Sequence, residues 1–344
     1  MFKTVSAIAV VVLAVGACGA GVPGPTAKPS PSPAISVAPG PTDEAESPSP
    51  AVPSIDPFLP TPDSVDLAGR CTEGSSLCTT MDIATWRSIP FTPDVACSNL
   101  GTKCQVVANI YGPTHPGNWP LFVLVSGADD YETPDAADSA YIDDFARQLA
   151  GHGAVVMRAN WRRGPGQGAG YPSSFADIGC AIGVSRAIGG RYGADPSRVV
   201  LVGHSSGGWA TAIVGLTATP FTPAAGSCNE TAGSLRPDAW AGMAPALDHA
   251  TDSFMGGSKV ELPEAWAAVD AFALADGSTA TDRLPVTLIV GGVDEVAPST
   301  HQFEDALLAD GIDSVLLDEP GQTHPSILST VESIEALFEL AARL

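Results

Sequence analysis

One serine in this sequence lies in a setting that favours nucleophilic chemistry. Ser205 is the central residue of the motif G-H-S-S-G at 203–207, which directly follows the apolar run 199–202. A buried strand, a G-x-S-x-G turn and a helix of small residues together present a serine hydroxyl at the edge of a sheet. The flanking glycines let the neighbouring backbone pass without a Cβ clash. We therefore predict that Ser205 is a nucleophile, which needs a base and an orienting acid from elsewhere in the chain.

Strand-like and helical segments alternate along most of the chain. Five short apolar runs are typical of buried parallel strands: 121–125, 154–158, 199–202, 286–290 and 315–317. An earlier run, 104–111, is predicted as an edge strand. Helices are predicted at 139–150, 175–192, 207–217, 299–309 and 327–343. This alternation predicts an α/β fold, a doubly wound domain whose mostly parallel sheet has helices on both faces.

Several of these segments resemble the α/β-hydrolase superfamily. The resemblance rests on the sequences R-A-N-W-R, Y-P, G-A-D-P-S-R-V and G-H-S-S-G-G, at residues 158–162, 171–172, 193–199 and 203–208. It covers most of residues 100–344 and is greatest to the esterase/lipase branch, which includes carboxylesterases and hormone-sensitive-lipase-like enzymes. The resemblance implies an α/β-hydrolase fold, and it implies that Arg162 and Asp177 are structural partners rather than catalytic residues.

Six histidines compete for the role of base. In this fold the catalytic residues follow the chain order Ser, Asp, His. His324 lies in the loop between the last apolar run and the final helix, where the family places its histidine. His204 lies in the serine turn itself and is too constrained to act on its neighbour. The other four lie in an early loop, a turn, a segment after a strand and an exposed helix: His115, His152, His249 and His301. We therefore predict that His324 is the base.

Three carboxylates are candidates for the orienting acid. Asp294 lies just beyond the apolar run 286–290, and Pro298 opens the next helix. The family's acid occupies this place. Asp248, after the preceding strand, is the second candidate because some members carry the acid there, and Glu295 is the third. Position alone favours Asp294.

The expected oxyanion hole departs from the family pattern. In the family, the strand that corresponds to residues 121–125 is followed by H-G-G or a close variant. In this chain S-G-A-D-D follows it, at 126–130. Gly127 permits a tight turn, and we predict that a backbone N–H from about Ala128 acts together with that of Ser206. Asp129 and Asp130 are unexpected, because negative charge near a developing oxyanion opposes catalysis. They either face solvent or hold a cation or a basic substrate group.

The bulk composition excludes some partners. The 344 residues include 38 acidic and 16 basic ones, which gives a net charge of −22. Such a charge repels phosphate backbones, so nucleic acid is not an expected partner. The length suits one large core.

The N-terminus is predicted to direct export. The apolar run 5–17 is too short to span a bilayer as a helix, and it fits a signal peptide at 1–17. It ends in V-G-A-C, which resembles the lipobox of bacterial lipoproteins, although Val15 stands where leucine is commoner. The resemblance implies that Cys18 is lipidated and becomes the mature N-terminus. We expect a protein anchored to the outer face of the bacterial cell membrane.

A tether follows the predicted anchor. Residues 18–64 are rich in proline and serine and poor in large apolar residues, so they cannot bury enough surface to fold. The catalytic domain is predicted at 65–344. Within it, the less regular stretch 248–283 falls where such folds carry an insertion over the site. Together with 130–138 and 161–172, this stretch shapes the substrate pocket.

The cysteines are predicted to be structural. Cys18 aside, six remain, an even number in an exported protein: Cys71, Cys78, Cys97, Cys104, Cys180 and Cys228. Fifteen pairings are possible, but a spacing of seven favours Cys71–Cys78 and Cys97–Cys104, which leaves Cys180 for Cys228. The chain has no C-x-x-C motif, and we expect neither a metal nor a cofactor.

These observations favour a serine hydrolase that cleaves carboxylic esters of small molecules or lipids through an acyl-enzyme on Ser205. A peptidase, an acyltransferase or a polyester or cutin hydrolase uses the same chemistry and stays open. A binding protein on a hydrolase scaffold is the alternative in which Asp129 and Asp130 have disabled the oxyanion hole. A structural envelope lipoprotein accounts for the anchor but not for Ser205, Asp294 and His324 together.

Overall fold

The computed structural model of the chain describes residues 59–69, 79–98, 100–127, 140–224, 226–277 and 283–344. All of them belong to one compact unit, residues 51–344. The predicted signal peptide, Cys18 and most of the tether lie outside the described residues. So do Cys71, Cys78 and the segment 128–139, which contains Ala128, Asp129 and Asp130.

The strands are β1 (Ser64–Asp66), β2 (Ile83–Pro90), β3 (Val95–Ala96), β4 (Lys103–Cys104), β5 (Val107–Pro113), β6 (Trp119–Val125), β7 (Val155–Ala159), β8 (Ala194–His204), β9 (Ala239–Met243), β10 (Val286–Gly291) and β11 (Ser314–Glu319). The helices are α1 (Ala140–Gly151), α2 (Ser173–Ile188), α3 (Ser206–Leu216), α4 (Asp252–Met255), α5 (Pro263–Ala267), α6 (Ala271–Asp276), α7 (Ala297–Ala309) and α8 (Val331–Ala342). Short 3₁₀ turns lie at Pro165–Gln167, Gly189–Tyr192 and Ser326–Ser329.

Nine strands form one sheet in the order β1-β2-β5-β7-β6-β8-β9-β10-β11. Six neighbouring strands are parallel: β7, β6, β8, β9, β10 and β11. At one edge, β1, β2 and β5 add antiparallel pairs. The chain leaves β6 toward β7 and then crosses to β8 on the other side of β6. In open α/β sheets, ligands bind at such a reversal, outside the carboxyl ends of the strands. The confirmed α/β-hydrolase fold therefore places its crevice after β6 and β8.

Both faces of the sheet are covered. The core cluster on one face includes Phe175 of α2, Trp209 of α3 and Phe303 of α7, and the cluster on the other includes Phe145 of α1 and Leu337 of α8. Strands buried on both faces read as continuous apolar runs, which is why β6, β8 and β10 could be recognised in the sequence. None of the described helices is long and apolar enough to cross a membrane.

The prediction of an edge strand at 104–111 was wrong. The strand is Val107–Pro113, and it lies inside the sheet between β2 and β7 with every residue buried. Residues 83–90, which carried no strand assignment, form β2 and cover it. The first four residues of β2 are all buried, and only its second half alternates, between half-buried and exposed residues, so its sequence lacks a clear period of two.

The folded domain begins earlier than residue 65. Leu59 is buried, and the Pro60 carbonyl accepts a hydrogen bond of 2.9 Å from Trp86 Nε1. The Asp63 backbone N–H donates to the Thr85 carbonyl at 2.8 Å. Residues 59–64 were assigned to the tether from their composition, but they pack on β2. The buried Leu59 and the backbone hydrogen bonds to β2 hold them there.

Two disulfides lie within the described residues. Cys97 and Cys104 join the ends of the β3–β4 hairpin, and Cys180 of α2 joins Cys228 in the loop after α3. The spacing of the cysteines predicts the first pairing, and the second is the pairing that it leaves for Cys180 and Cys228. The second closes a stretch of 48 residues, so it fixes the loop between α3 and β9 to the helix beneath it.

The described residues of the stretch 248–283, which are 248–277 and 283, include three short helices, α4, α5 and α6. Thr251 and Asp270 cap α4 and α6 by accepting hydrogen bonds from backbone N–H groups. Trp209 Nε1 donates to the Val269 carbonyl at 3.2 Å. The insertion is thereby fixed to α3, the helix that follows Ser205.

Candidate active site

Ser205 lies in a strained turn between β8 and α3. Its φ of 58° and ψ of −123° are uncommon for a residue with a side chain, and such a conformation persists only where neighbours impose it. The Ser205 N–H donates to the Met243 carbonyl at 2.9 Å, and the Ala246 N–H donates to the Ser205 carbonyl at 3.0 Å. The end of β9 and the loop after it thus hold the turn from both sides.

The first glycine of the motif is required by a close approach. A Cβ on Gly203 would lie 2.1 Å from the Gly207 carbonyl oxygen, where no side chain fits. The turn can therefore bring α3 directly against the end of β8 only with glycine at this position. Since α3 begins at Ser206, its first N–H groups have no helical acceptor and point toward the turn.

His324 and Asp294 form a hydrogen-bonded pair. Nδ1 of His324 lies 2.9 Å from Oδ2 of Asp294. The Asp294 side chain is 1% exposed and that of His324 is 33% exposed, so the carboxylate is sealed while the ring reaches solvent. Oδ1 of Asp294 also accepts the Val296 N–H at 3.1 Å. A carboxylate at Nδ1 fixes the tautomer that leaves Nε2 as a proton acceptor.

The loops that carry the pair are joined to each other. Asp294 follows β10 and His324 follows β11, and these are neighbouring parallel strands. The Val293 N–H donates to the Gln322 carbonyl at 3.1 Å. The sheet and this bond together set the distance between the acid and the histidine.

His204 connects the serine turn to the histidine loop. Its ring is buried, and its centroid lies 4.8 Å from that of His324. Nε2 of His204 lies 3.0 Å from the His324 carbonyl, to which it donates. Ser205 Oγ itself makes no hydrogen bond to His324 in the structure, and such nucleophile–base contacts often tighten only with substrate.

The other carboxylate candidates lie differently. Asp248 and Glu295 are exposed, and neither makes a hydrogen bond to a histidine among the described residues, which include all six histidines. His301 pairs with Asp318 at 2.9 Å, but both side chains are largely open to solvent. Of the three candidate acids, Asp294 is the one that is buried and hydrogen-bonded to a histidine, which is His324.

Gly127, at the end of β6, lies against the serine turn. A Cβ built on Gly127 would lie 2.8 Å from Ser205 Cβ and 3.3 Å from its Oγ. The strand register pairs Val125 with Gly203, so the two loops leave the sheet at the same level. The structure thus brings Gly127 and Ser206 to the two sides of Ser205, while Ala128 lies outside the described residues.

Two residues that sequence reasoning missed hold this loop. Trp161 Nε1 donates to the Ser126 carbonyl at 3.1 Å, and Arg163 Nη1 donates to the Gly127 carbonyl. Both flank Arg162, which pairs with Asp177 as the resemblance implies, at 2.7 Å between Nη2 and Oδ1. Residues 160–163 belong to no helix or strand, so no periodic pattern in the sequence marked these two side chains.

A substitution at Gly127 tests the closeness of this contact. Gly127→Ala is expected to lower kcat/KM by about 100-fold if Ser205 is the predicted nucleophile, because the new Cβ displaces its hydroxyl by a fraction of an ångström. The protein should stay folded, since Gly127 does not have a positive φ. Gly190→Ala is the matched control, because its added Cβ meets no atom within 4 Å. Equal activity of the two variants would contradict the expectation.

Burial of His204 predicts a pH-dependent stability. Removal of its ring from water lowers its pKa from 6.5 to about 4. The unfolded chain therefore binds a proton that the folded protein excludes, and stability falls as the pH drops below about 6.5 toward 4. Between about pH 7.5 and 5 this group removes about 2 kcal/mol from the free energy of unfolding.

Urea unfolding across this range measures the effect. His204→Gln retains a donor for the His324 carbonyl but does not titrate, so its free energy of unfolding should fall less with acidity than that of the wild type. Other groups titrate equally in both proteins and cancel in the difference. Parallel curves for the two proteins would show that His204 titrates normally.

Comparisons with known proteins agree with this architecture. A truncated carbohydrate esterase from gut microbiota is 17% identical with a TM-score of 0.59, covering 80% of this chain and 98% of its own. Esterase B from Lactobacillus rhamnosis, inhibited by a tributyrin phosphonate, is 16% identical with a TM-score of 0.56, covering 76% and 87%. A butyrate-bound esterase from Thermogutta terrifontis is 19% identical with a TM-score of 0.52, covering 74% and 94%. Such identities show a shared fold.

The fold and the residues around Ser205 define an α/β-hydrolase-type esterase domain. The sequence matches the BD-FAE family over residues 108–298, more than half of the chain. The chain belongs to that family. A comparison with curated protein sequences finds no match.

Proposed function

We propose that this protein is a serine esterase in which Ser205 is the nucleophile, His324 the general base and Asp294 the orienting acid. The observation that carries the proposal is the 2.9 Å hydrogen bond between His324 and a buried Asp294, on loops that adjoin the strained Ser205 turn. All three residues project from carboxyl ends of parallel strands, where the crevice lies.

The same three side chains act in both halves of the reaction, the acylation and the deacylation. Ser205 Oγ attacks the acyl carbon and its proton passes to Nε2 of His324, while Asp294 stabilises the resulting imidazolium. The tetrahedral intermediate collapses to an acyl-enzyme, and the proton leaves with the alcohol. Water then attacks the acyl carbon, again losing a proton to His324, and Ser205 recovers that proton as the acid departs.

The negative charge of the intermediate needs donors beside Ser205. The N–H of Ser206, at the first turn of α3, and the backbone after Gly127 are the donors that we assign to it. Trp161 and Arg163 hold the carbonyl groups of Ser126 and Gly127, which fixes the backbone of this loop. The assignment thus gives two side chains outside the catalytic triad a positioning role.

Small esters are the substrates to test. The solved structures similar to this chain include a carbohydrate esterase, an esterase with a tributyrin phosphonate and an esterase with butyrate. We propose short-chain acyl esters on this basis. Treatment of the mature protein with a fluorophosphonate, followed by peptide mapping, tests the mechanism. Labelling at Ser205 together with p-nitrophenyl butyrate turnover supports an esterase, whereas a folded protein without labelling supports a binding protein on this scaffold.

We also propose that the protein is exported and anchored through a lipid on Cys18. The support is the apolar run before the V-G-A-C sequence and the Pro/Ser-rich stretch that follows it. Mass spectrometry of the mature N-terminus tests the proposal. An N-terminal peptide that starts elsewhere, or an unmodified Cys18, would contradict it.

A further inference from the structure

A cavity of about 600 Å³ lies beside the loops that follow β9 and β10. Its lining comes from the loop after β9, the insertion and the start of α7: Leu247, Asp248, Ala250, Lys259, Trp266, Val269, Asp270, Phe272, Glu295, Val296 and Ser299. This volume is of the size that proteins use to hold small molecules. The mechanism proposed above uses none of these side chains.

The walls of the cavity are continuous with the catalytic loops. Leu247 follows Ala246, whose N–H donates to the Ser205 carbonyl at 3.0 Å. On the other side, Glu295 and Val296 follow Asp294, and the Val296 N–H donates to its carboxylate at 3.1 Å. The cavity is therefore bordered by the same two loops that contact Ser205 and Asp294.

The lining combines aromatic rings with an excess of negative charge. Trp266 is fixed by its Nε1, which donates to the Gly257 carbonyl at 3.0 Å, and Phe272 is 37% exposed. The charged residues of the lining are three acids, Asp248, Asp270 and Glu295, and one cation, Lys259. Within the described part of the chain, no ion pair is formed by any of these four charged groups. A net negative charge thus remains in the cavity.

Such a lining selects for positive charge. Aromatic faces attract cations, and quaternary ammonium groups are held in this way. Asp248 and Glu295 are exposed, so their attraction to a cation acts through solvent and depends on the ionic strength. The net charge of −22 further raises the concentration of cations near the protein.

We propose that this cavity receives an ammonium group carried by the ester substrate. The inference rests on the proposed function, because it assigns the cavity to part of the molecule whose ester bond reaches Ser205. Neutral esters of the same shape fit the space but lack the attraction to the carboxylates. The cavity therefore sets a preference for cationic over neutral esters.

Pairs of isosteric esters test the preference in the mature protein. Choline butyrate is compared with the neutral ester in which a quaternary carbon replaces the nitrogen, and a second pair carries the same exchange in the acyl part. We expect kcat/KM to favour the cationic ester by about tenfold in at least one pair at low ionic strength. The ratio should fall as salt is added, because salt screens the carboxylates.

Variants of the lining should move the ratio in opposite directions. Glu295→Gln and Asp270→Asn are each expected to lower it about fivefold, and asparagine can still cap α6. Lys259→Gln is expected to raise it by a similar factor. Glu335→Gln serves as the control, because Glu335 is an exposed residue of α8, a helix that packs on the other face of the sheet.

The outcomes separate this inference from the proposed function. Hydrolysis of both members of each pair at equal kcat/KM would overturn the cation site and leave the esterase intact. Hydrolysis of no ester would refute the esterase. Calorimetry with choline butyrate and the Ser205→Ala variant then decides the site itself, since binding retained in that variant and weakened by Glu295→Gln supports it and the absence of binding refutes it.

Discussion

Ser205→Ala is expected to lower kcat for p-nitrophenyl butyrate by at least about 10⁴-fold, because it removes the hydroxyl that forms the acyl-enzyme in the proposed mechanism. The residual rate would come from substrate binding and the backbone donors. Stability should change little, since alanine meets the same positive φ as serine and the turn keeps its two backbone hydrogen bonds. The measurements are steady-state kinetics and thermal unfolding, with fluorophosphonate labelling of both proteins.

Ser185→Ala is a matched control for this prediction. Ser185 is a buried serine of α2, and its hydroxyl donates to the Ile182 carbonyl within the same helix. Its loss removes one hydroxyl and leaves the catalytic turn untouched, so labelling and turnover should persist. A Ser205→Ala protein that still labels or still turns over at the control's rate would show that the nucleophile is a different residue.

Asp294→Asn is expected to lower kcat by about 10⁴-fold, an effect as large as that expected for Ser205→Ala. The amide has nearly the shape of the carboxylate, so the loop should stay in place. An asparagine can donate to Nδ1, which favours the tautomer whose Nε2 carries the proton and cannot accept one from Ser205. It also removes the charge that stabilises the imidazolium. Because Asp294 is buried and within 2.9 Å of His324, no water molecule readily replaces it.

The same substitution at Asp248 separates the candidates for the acid. Asp248 is exposed and makes no hydrogen bond to a histidine among the described residues. Asp248→Asn is therefore expected to change kcat for a neutral ester by less than about tenfold. A loss at Asp248 as large as that at Asp294 would mean that the acid acts from the loop after β9. The comparison is made at saturating substrate, so that binding does not contribute.

The parts of the fold that depend on local sequence patterns could be predicted. The turn at Ser205 could be predicted because a buried strand, glycines at fixed positions and a helix of small residues lie next to each other in the chain. Asp294 and His324 could be nominated because each follows an apolar run that forms a parallel strand. Parallel strands end at one edge of the sheet, so residues distant in sequence meet there.

Features that depend on side-chain direction in irregular segments could not be predicted as well. Trp161 and Arg163 hold the loop after β6, but their segment follows β7 without a regular period. β2 lacks a clear alternation, so its presence, and the burial of β5 behind it, became evident only from the structure. The packing of Leu59 rests on a single apolar residue in a proline-rich stretch.

The bond from His204 to the His324 carbonyl has a consequence for how the protein matures. It joins positions 120 residues apart, across three parallel strands and the insertion. Contacts of such long range form late, after the intervening chain has been ordered. A nascent or partly refolded chain can thus present Ser205 before it holds His324 in place. Recovery of activity should accordingly follow the docking of the last strand, and it would report completion of folding rather than its onset.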